Sequence, residues 1–140
     1  MTGVVRVEVT GAPLDLAEHE RLVTLATSGA VVSFAGVVRD HDHGRGVVSL
    51  DYEAHPSASD VLAQVADEIA KHPDVHAVAV SHRVGSLGIG DVALAAAVSC
   101  AHRGEAFDAC RRLVDEAKAR LPIWKHQRFA DGTDEWVNCP

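Results

Sequence analysis

The chain has 140 residues, 47% of them hydrophobic and 24% charged, a balance typical of one compact domain with a single core. This composition excludes a disordered or fibrous chain, and the formal net charge of −7 argues against a general surface for nucleic acid or for an anionic membrane. We therefore expect one domain over residues 1–140, with no nucleic-acid partner and no membrane contact.

The cysteines bear on the compartment and on metal binding. Cys100, Cys110 and Cys139 are irregularly spaced and form no CxxC pair, so neither a disulfide framework nor a zinc site is expected. No apolar run is long enough to span a bilayer, and the first residues lead into a strand-like pattern instead of a targeting segment. These features favour a cytoplasmic protein, and Cys100 on a strand face and Cys110 on a helix stripe are expected to fill the core.

The N-terminal part of the chain predicts a strand, a helix and a second strand. Apolar and polar residues alternate over 5–10, the period of a half-buried strand. A helix is expected to begin near Pro13 and Asp15 and to run to Gly29, which is placed as its C-terminal cap. Residues 30–38 are nearly all apolar and predict a strand that is covered on both faces.

The middle of the chain predicts a loop and further strands around one helix. Within the polar, glycine-punctuated loop over 40–46, His41 and His43 have the spacing of metal ligands, but no cluster elsewhere completes a site, and no metal is expected. The pattern after the loop predicts a strand near 48–52, a helix from about 56 to 72, a strand near 78–84, a glycine-rich turn over 85–91 and a strand over 92–101.

The third predicted helix has the most regular apolar spacing. Its stripe advances by three and four positions through Phe107, Cys110, Val114, Ala117 and Leu121. Pro122 ends the helix, and an extended segment follows it. Because no linker or repeat interrupts this series of elements, the sequence predicts one α+β domain.

Arg39 stands at the end of the predicted strand over 30–38, directly before the polar loop. A guanidinium held by a strand can bind an oxyanion through two hydrogen bonds. A salt bridge at the strand end explains the same pattern, so both interpretations stay open.

His102 and Arg103 stand where a predicted strand leads into the third helix. A helix N-terminus offers free backbone N–H groups and the positive end of the helix dipole, which together suit a phosphate. A helix cap followed by a surface arginine is the alternative.

Lys118 flanks the apolar stripe of the third helix, and Lys125 follows soon after Pro122. A lysine at a desolvated edge beside other cations can lose its proton and act as a base or nucleophile, whereas a lysine that extends its charge into solvent is the alternative. Reversal of the chain at Pro122 can bring both amines to one pocket.

The basic residues are concentrated in one segment. Residues 102–128 hold seven Lys and Arg against four Asp and Glu, in a chain that is acidic overall. Such a segment suits a small anion or an acidic partner, although a solvated helix face has the same composition.

The ordered series of motifs resembles the large, catalytic subunits of molybdopterin synthases. The matching segments span residues 29–137 and are FAGVVR at 34–39 with DH at 40–41, LDYE at 50–53, HRVG at 82–85, SCAHR at 99–103, and Lys118, Arg120, Pro122, Trp124, Lys125 and Trp136. No single motif is decisive, but their order is specific.

The resemblance implies a fold, partners and a reaction. The fold is an α/β-hammerhead-type domain with an additional antiparallel β-subdomain, and the subunit forms a homodimer at the centre of a heterotetramer. Each end binds a small ubiquitin-like sulfur-carrier subunit whose C-terminal Gly-Gly thiocarboxylate enters the active pocket. The implied reaction transfers two sulfurs to cyclic pyranopterin monophosphate, opens its cyclic phosphate and gives molybdopterin, with no cofactor required.

The resemblance also implies the site residues. The lysine pair of the family falls on Lys118, the principal catalytic residue, and on Lys125, an assisting base or anion ligand. The other substrate-binding positions fall on Val37, Val38, Arg39, His102, Arg103, His126 and Gln127. Since the sulfur arrives on the carrier, the protein needs to supply only anion binding, proton transfer and charge stabilisation. The alternative is a non-catalytic anion-binding or scaffold module of the same fold.

Overall fold

The computed structural model describes residues 3–138, which form nine strands and three helices. In chain order they are β1 (Gly3–Thr10), α1 (Leu16–Val23), β2 (Ala30–Val37), β3 (His41–Asp42), β4 (Arg45–Ala54), α2 (Ala58–Ala70), β5 (Val75–Arg83), β6 (Gly85–Leu87), β7 (Val92–Cys100), α3 (Arg103–Arg120), β8 (Ile123–Phe129) and β9 (Asp134–Val137). The prediction of a mixed fold of helices and strands is confirmed.

The first sheet has the strand order β1-β5-β7-β2 and forms the middle of three layers. β1 runs parallel to β5, and the other two pairs are antiparallel. Val78 and Val98 pack in the cluster that contains α2 and α3, whereas Ala77 and Ala97 pack with Val23 of α1. Because helices cover both of its faces, the central part of this sheet is apolar at nearly every position.

The second sheet is antiparallel and carries the C-terminal strands. Its order is β3-β4-β8-β9, and β6 pairs with β4. Leu50 and Tyr52 of β4 and Leu87 of β6 belong to the same core cluster as α2 and α3. The two sheets therefore share one core, and the ends of β2 and α3 lie beside the face of β8.

The first helix is shorter than the sequence predicts. Asp15 caps its N-terminus by accepting a hydrogen bond from the Glu18 N–H, as expected, but the helix ends at Val23. Gly29 is therefore not its cap. A Cβ at Gly29 would lie 2.3 Å from the Ala101 carbonyl oxygen, so the glycine allows two backbone segments to approach closely.

The strand β2 is contacted by helices from both layers, as predicted for a strand covered on both faces, but it is less buried than that prediction implies. It pairs only with β7 and forms an edge of the first sheet, and most of its residues are only partly buried. Its near-continuous apolar sequence is compatible with an edge position because α3 and α1 both contact it.

Two further predictions need correction. The core-facing residues of α3 are Ala106, Ala109, Cys110, Leu113, Val114 and Ala117, whereas Phe107 is 62% exposed and lies off the stripe. Small residues at the start of this face let the helix approach the sheet, and Phe107 lines a surface pocket together with Val32 and Phe34 of the edge strand β2. The loops predicted over 40–46 and 85–91 contain the short strands β3 and β6, and the sequence patterns did not predict β9.

No helix within residues 3–138 has the length and hydropathy needed to cross a membrane.

Candidate functional site

A cavity of about 220 Å³ lies where the two sheets meet the C-terminal end of α3. Three of its lining side chains are cations, Arg39, Lys118 and Lys125, and we call it the cationic cavity. Other lining residues are Val37, Val38, His41, Asp42, Tyr52, His82 and Gln127. Segments distant in the sequence thus contribute to one site.

The turn after α3 brings the two lysines together. Lys118 lies in the last turn of α3, the backbone turns at Leu121 and Pro122, and β8 begins at Ile123. Lys125 pairs with Tyr52 across the second sheet, in the register that also places Gln127 opposite Leu50. Since alternate residues of a strand share a face, Lys125 and Gln127 both face the cavity.

Arg39 reaches the cavity from the end of β2. The backbone just before it is held by two hydrogen bonds, from the Val38 N–H to the Asp91 carbonyl (2.9 Å) and from the Gly90 N–H to the Val38 carbonyl (2.7 Å). The Arg39 side chain is 67% exposed and lies 3.4 Å from Asp42. It therefore has an anchored backbone and a guanidinium that remains accessible to a ligand.

Gln127 is buried in the wall of the cavity and its amide group has a defined orientation. Its Nε2 donates to Asp42 Oδ2 (2.8 Å) and to Glu135 Oε1 (3.0 Å). With both amide hydrogens directed at carboxylates, the amide cannot rotate freely. The hydrogen bond from Gln127 is also the main cause that holds the pKa of the Asp42 carboxyl below its usual value.

His82 is a buried residue of the cavity for which the sequence suggested no role. Its Nδ1 donates to the Arg83 carbonyl at 2.7 Å, and its Nε2 has no hydrogen-bond partner among the described residues. Burial lowers the pKa of His82 to about 4, and the charge of Lys118 acts in the same direction. The ring is therefore neutral near pH 7 and contacts the Tyr52 ring edge-on, with 5.0 Å between ring centroids.

The comparison with known proteins identifies the family. The model of the MoaE protein family matches residues 9–120, which is most of the chain. The chain belongs to the MoaE family. A family member from Nostoc sp., named molybdopterin synthase catalytic subunit, is 42% identical over 132 residues, which cover 93% of this chain and 80% of that protein.

Solved structures of related proteins have the same fold. Molybdopterin synthase from Staphylococcus aureus superposes with a TM-score of 0.85 at 34% identity, over 94% of this chain and 96% of that one. A complex of subunits 1 and 2 of molybdopterin-converting factor from Helicobacter pylori gives a TM-score of 0.68 at 18% identity, over 96% and 88% of the two chains, which shows a likeness of fold alone. The prediction of a molybdopterin synthase catalytic subunit is confirmed.

In this MoaE family member, the His126 side chain lies outside the cationic cavity. It alternates with Lys125 and Gln127, so it occupies the opposite face of β8. There its ring stacks on Trp136 with 4.3 Å between ring centroids, and its Nε2 lies 2.6 Å from Asp134. Any contact of His126 with a ligand in the cavity is therefore through its backbone.

His102 and Arg103 also lie away from the cavity. They stand at the N-terminal end of α3, and the helical rise places Arg103 about 22 Å from Lys118 along the axis. Both residues are exposed, and His102 makes no side-chain capping hydrogen bond. One copy of the chain does not bring them to Arg39 and the two lysines.

Only part of the basic segment over 102–128 contributes positive charge to the cavity. Arg120 makes two hydrogen bonds with Glu68 (3.0 and 2.8 Å), and Arg128 bonds Asp51 at 2.6 Å. These arginines tie secondary-structure elements together, which is the surface role that the composition left open. Within residues 3–138 no group of three or more His, Cys, Asp or Glu side chains is arranged to hold a metal ion.

Proposed function

We propose that the cationic cavity is the active site in which a carrier thiocarboxylate meets cyclic pyranopterin monophosphate and transfers two sulfurs to it. The observation that carries this proposal is the convergence of Arg39, Lys118 and Lys125 on one cavity. Cations fixed on a strand end, a helix end and a neighbouring strand are preorganised for anionic ligands and need little rearrangement on binding.

The charge of the cavity matches these ligands. Arg39, Lys118 and Lys125 face a single lining carboxylate within the described residues, Asp42, which leaves a formal charge of +2. A cyclic phosphodiester and a thiocarboxylate each carry one negative charge. Two monoanions bound together therefore neutralise the cavity, whereas either one alone leaves it cationic.

The two cysteines within residues 3–138 support a sulfur source outside this chain; Cys139 lies outside the described residues. Cys100 and Cys110 are buried, and burial raises the pKa of Cys110 to about 11 and that of Cys100 above its usual value. Neither forms the thiolate that a sulfur donor needs near pH 7. A thiocarboxylate supplied by the partner has no such requirement.

The residues take different roles in this proposal. Lys118 is the principal catalytic residue and transfers protons at the carbons that receive sulfur, while Lys125 assists as a base or anion ligand. Arg39 holds the phosphate, and the backbones of Val37 and Val38 line the entry. Gln127, and His126 through its backbone, complete the wall on β8.

Each transfer balances without a redox partner. The carrier sulfur bonds to a carbon of the pterin, and water then cleaves the resulting thioester, which leaves a carboxylate on the carrier. The oxygen leaving groups on the pterin depart with protons, and the cyclic phosphate opens to a monoester. The protein supplies proton transfer and stabilisation of charge.

The partners belong to the same proposal. The Helicobacter pylori relative was solved as a complex of two different subunits, which supports a small carrier subunit for this chain. We extend this to a homodimer within a heterotetramer, in which the His102 and Arg103 of one copy reach the anion site of the other. We also propose that residues 1–140 form a single domain and that its fold is an α/β-hammerhead type with an additional antiparallel β-subdomain. The proposed location of the protein is the cytoplasm.

The test combines the purified chain with a thiocarboxylated carrier and the cyclic pterin substrate, and measures dithiolene formation. Lys118→Ala is expected to lower the rate at least about 100-fold, as loss of a general acid or base does. Normal product formation by Lys118→Ala would disprove the assigned role. A wild-type chain that binds phosphate but gives no product would instead be a non-catalytic anion-binding module.

A further inference from the structure

Asp42 is an acidic side chain in a cavity that otherwise attracts anions. It lies on the short strand β3, its side chain is only 14% exposed, and it is the single carboxylate among the described residues that line the cationic cavity. An acid at this position weakens the binding of every anion in the cavity. Its presence therefore calls for a physical reason.

The contacts of Asp42 connect one cation of the cavity, Arg39, to the wall of the cavity on β8. Its Oδ2 accepts from Gln127 Nε2 at 2.8 Å, and its Oδ1 lies 3.4 Å from Arg39 Nη2 and 3.7 Å from His43 Nε2. Gln127 is bonded in turn to Glu135 of β9 at 3.0 Å. This chain of contacts ties the segment after β2 to β8 and β9.

Asp42 is ionised when the enzyme is at neutral pH. The hydrogen bond from Gln127 is the largest cause that lowers the pKa of its carboxyl, and the charges of His43, Lys125 and Arg39 lower it further. Partial burial raises the pKa, but the lowering effects are larger. The carboxylate thus removes one unit of charge from a cavity that has three cations. Two monoanions then fit the cavity without an excess of positive charge.

We propose that Asp42 is a counter-charge in the cationic cavity: its carboxylate, which contacts Arg39 and Gln127, limits anion affinity so that the spent carrier can leave. This inference rests on the proposed function, in which the carrier ends the reaction with a carboxylate in place of its thiocarboxylate. A carboxylate and a thiocarboxylate carry the same charge, so a cavity with too much positive charge would retain the product.

The experiment compares Asp42→Asn with a variant that keeps the charge and with a matched control at another site. Asn keeps the size of Asp and removes its charge, whereas Asp42→Glu keeps the charge and changes the reach of the side chain. Asp51→Asn is the matched control, because Asp51 is also partly buried and bonded to an arginine, Arg128 at 2.6 Å, but lies outside the cationic cavity. Asp42→Ser serves as a second neutral variant if Asp42→Asn fails to fold.

The first measurement is the affinity of each folded variant for inorganic phosphate alone. Asp42→Asn is expected to bind phosphate about 3- to 10-fold more tightly than wild type, as loss of a like charge several ångströms from the anion predicts. Asp42→Glu and Asp51→Asn are expected to stay within about twofold of wild type, because the first retains the charge and the second changes a charge that is paired with Arg128 and does not line the cavity. Unchanged or weaker phosphate binding by Asp42→Asn, or equal tightening by Asp51→Asn, would overturn the inference.

The second measurement is steady-state turnover with the thiocarboxylated carrier. In Asp42→Asn, kcat and KM for the carrier are expected to fall together by about 3- to 10-fold, with kcat/KM nearly unchanged, because release of the spent carrier slows. Simple damage to the site would raise KM or lower kcat/KM, and that result would contradict the inference. A wild-type chain without turnover would refute the proposed function, while the phosphate measurement would still decide the effect of Asp42.

Discussion

Lys118 and Lys125 line one cavity although the first lies on a helix and the second on a strand of another sheet. α3 ends directly after Lys118, at Arg120, and Pro122 allows no continuation of the helix. The chain therefore returns along β4 as β8, and the register Tyr52 to Lys125 fixes the second amine at the cavity.

The chain contains three lysines, and this small number permits a controlled test of the pair. Lys125→Ala is expected to lower kcat/KM for dithiolene formation about 10- to 100-fold, because an assisting base or anion ligand is lost. Lys71→Ala, at the exposed C-terminal end of α2, is expected to leave the rate unchanged. Equal effects of the two substitutions would show that only overall charge matters.

The burial of His82 predicts a loss of stability in mild acid. Its pKa is about 4 in the folded chain against 6.5 for the free side chain, so the unfolded chain binds the extra proton first as pH falls. The free energy of unfolding is therefore not reduced by His82 above pH 6.5, and it falls as the pH drops from 6.5 toward 4. Between pH 7.5 and pH 5 this decrease is about 2 kcal/mol.

Urea unfolding at the two pH values measures this dependence. His82→Gln is expected to reduce the pH dependence of the free energy of unfolding by that amount. The exposed His43, which has a positive φ of 50° that asparagine also adopts, gives the control His43→Asn, for which little change is expected. An unaltered pH dependence in His82→Gln would contradict the assignment of a buried, neutral ring.

The surroundings of Gly29 and Gly104 predict different changes in stability when each glycine is replaced by alanine. A Cβ at Gly29 would lie 2.3 Å from the Ala101 carbonyl oxygen, so Gly29→Ala is expected to lower the free energy of unfolding by about 1–3 kcal/mol through backbone displacement. Gly104 lies in the first turn of α3 with open space around it, and Gly104→Ala is expected to be neutral or stabilising. Thermal unfolding of both variants tests the pair, and a stable Gly29→Ala protein would refute the close approach.

The buried cysteines are expected to resist thiol reagents. In a Cys139→Ser variant, which leaves only Cys100 and Cys110, an aromatic disulfide reagent near pH 8 should label neither thiol in the native protein. Both should react after denaturation, because burial and raised pKa values protect them only in the fold. Rapid labelling of the native variant with turnover intact would show that the thiols are not buried. Rapid labelling that abolishes turnover would instead argue against a sulfur source outside this chain.

The local patterns predicted most elements but not their limits. Apolar periodicity located α2, α3 and the central strands, because these bury one face or both faces along their whole length. The role of Gly29 was not predicted: the pattern placed it as the cap of α1, whereas α1 ends at Val23 and Gly29 approaches Ala101, which is distant in the sequence. The exposure of Phe107 was missed for a similar reason: its spacing fits a stripe, but the packing of α3 on β2 and β7 decides which residues are buried.

The sequence by itself determined the family, the mixed fold and the identity of the basic residues, because these follow from residue types and their order. Only the tertiary structure decided which of those residues meet. Arg39 joins Lys118 and Lys125, and Asp42, Gln127 and His82 complete the cavity, since strand pairing brings their elements side by side. His102 and Arg103 lie at the other end of α3 from Lys118. The rise of the helix separates Arg103 from Lys118 by about 22 Å, which is farther than a side chain reaches.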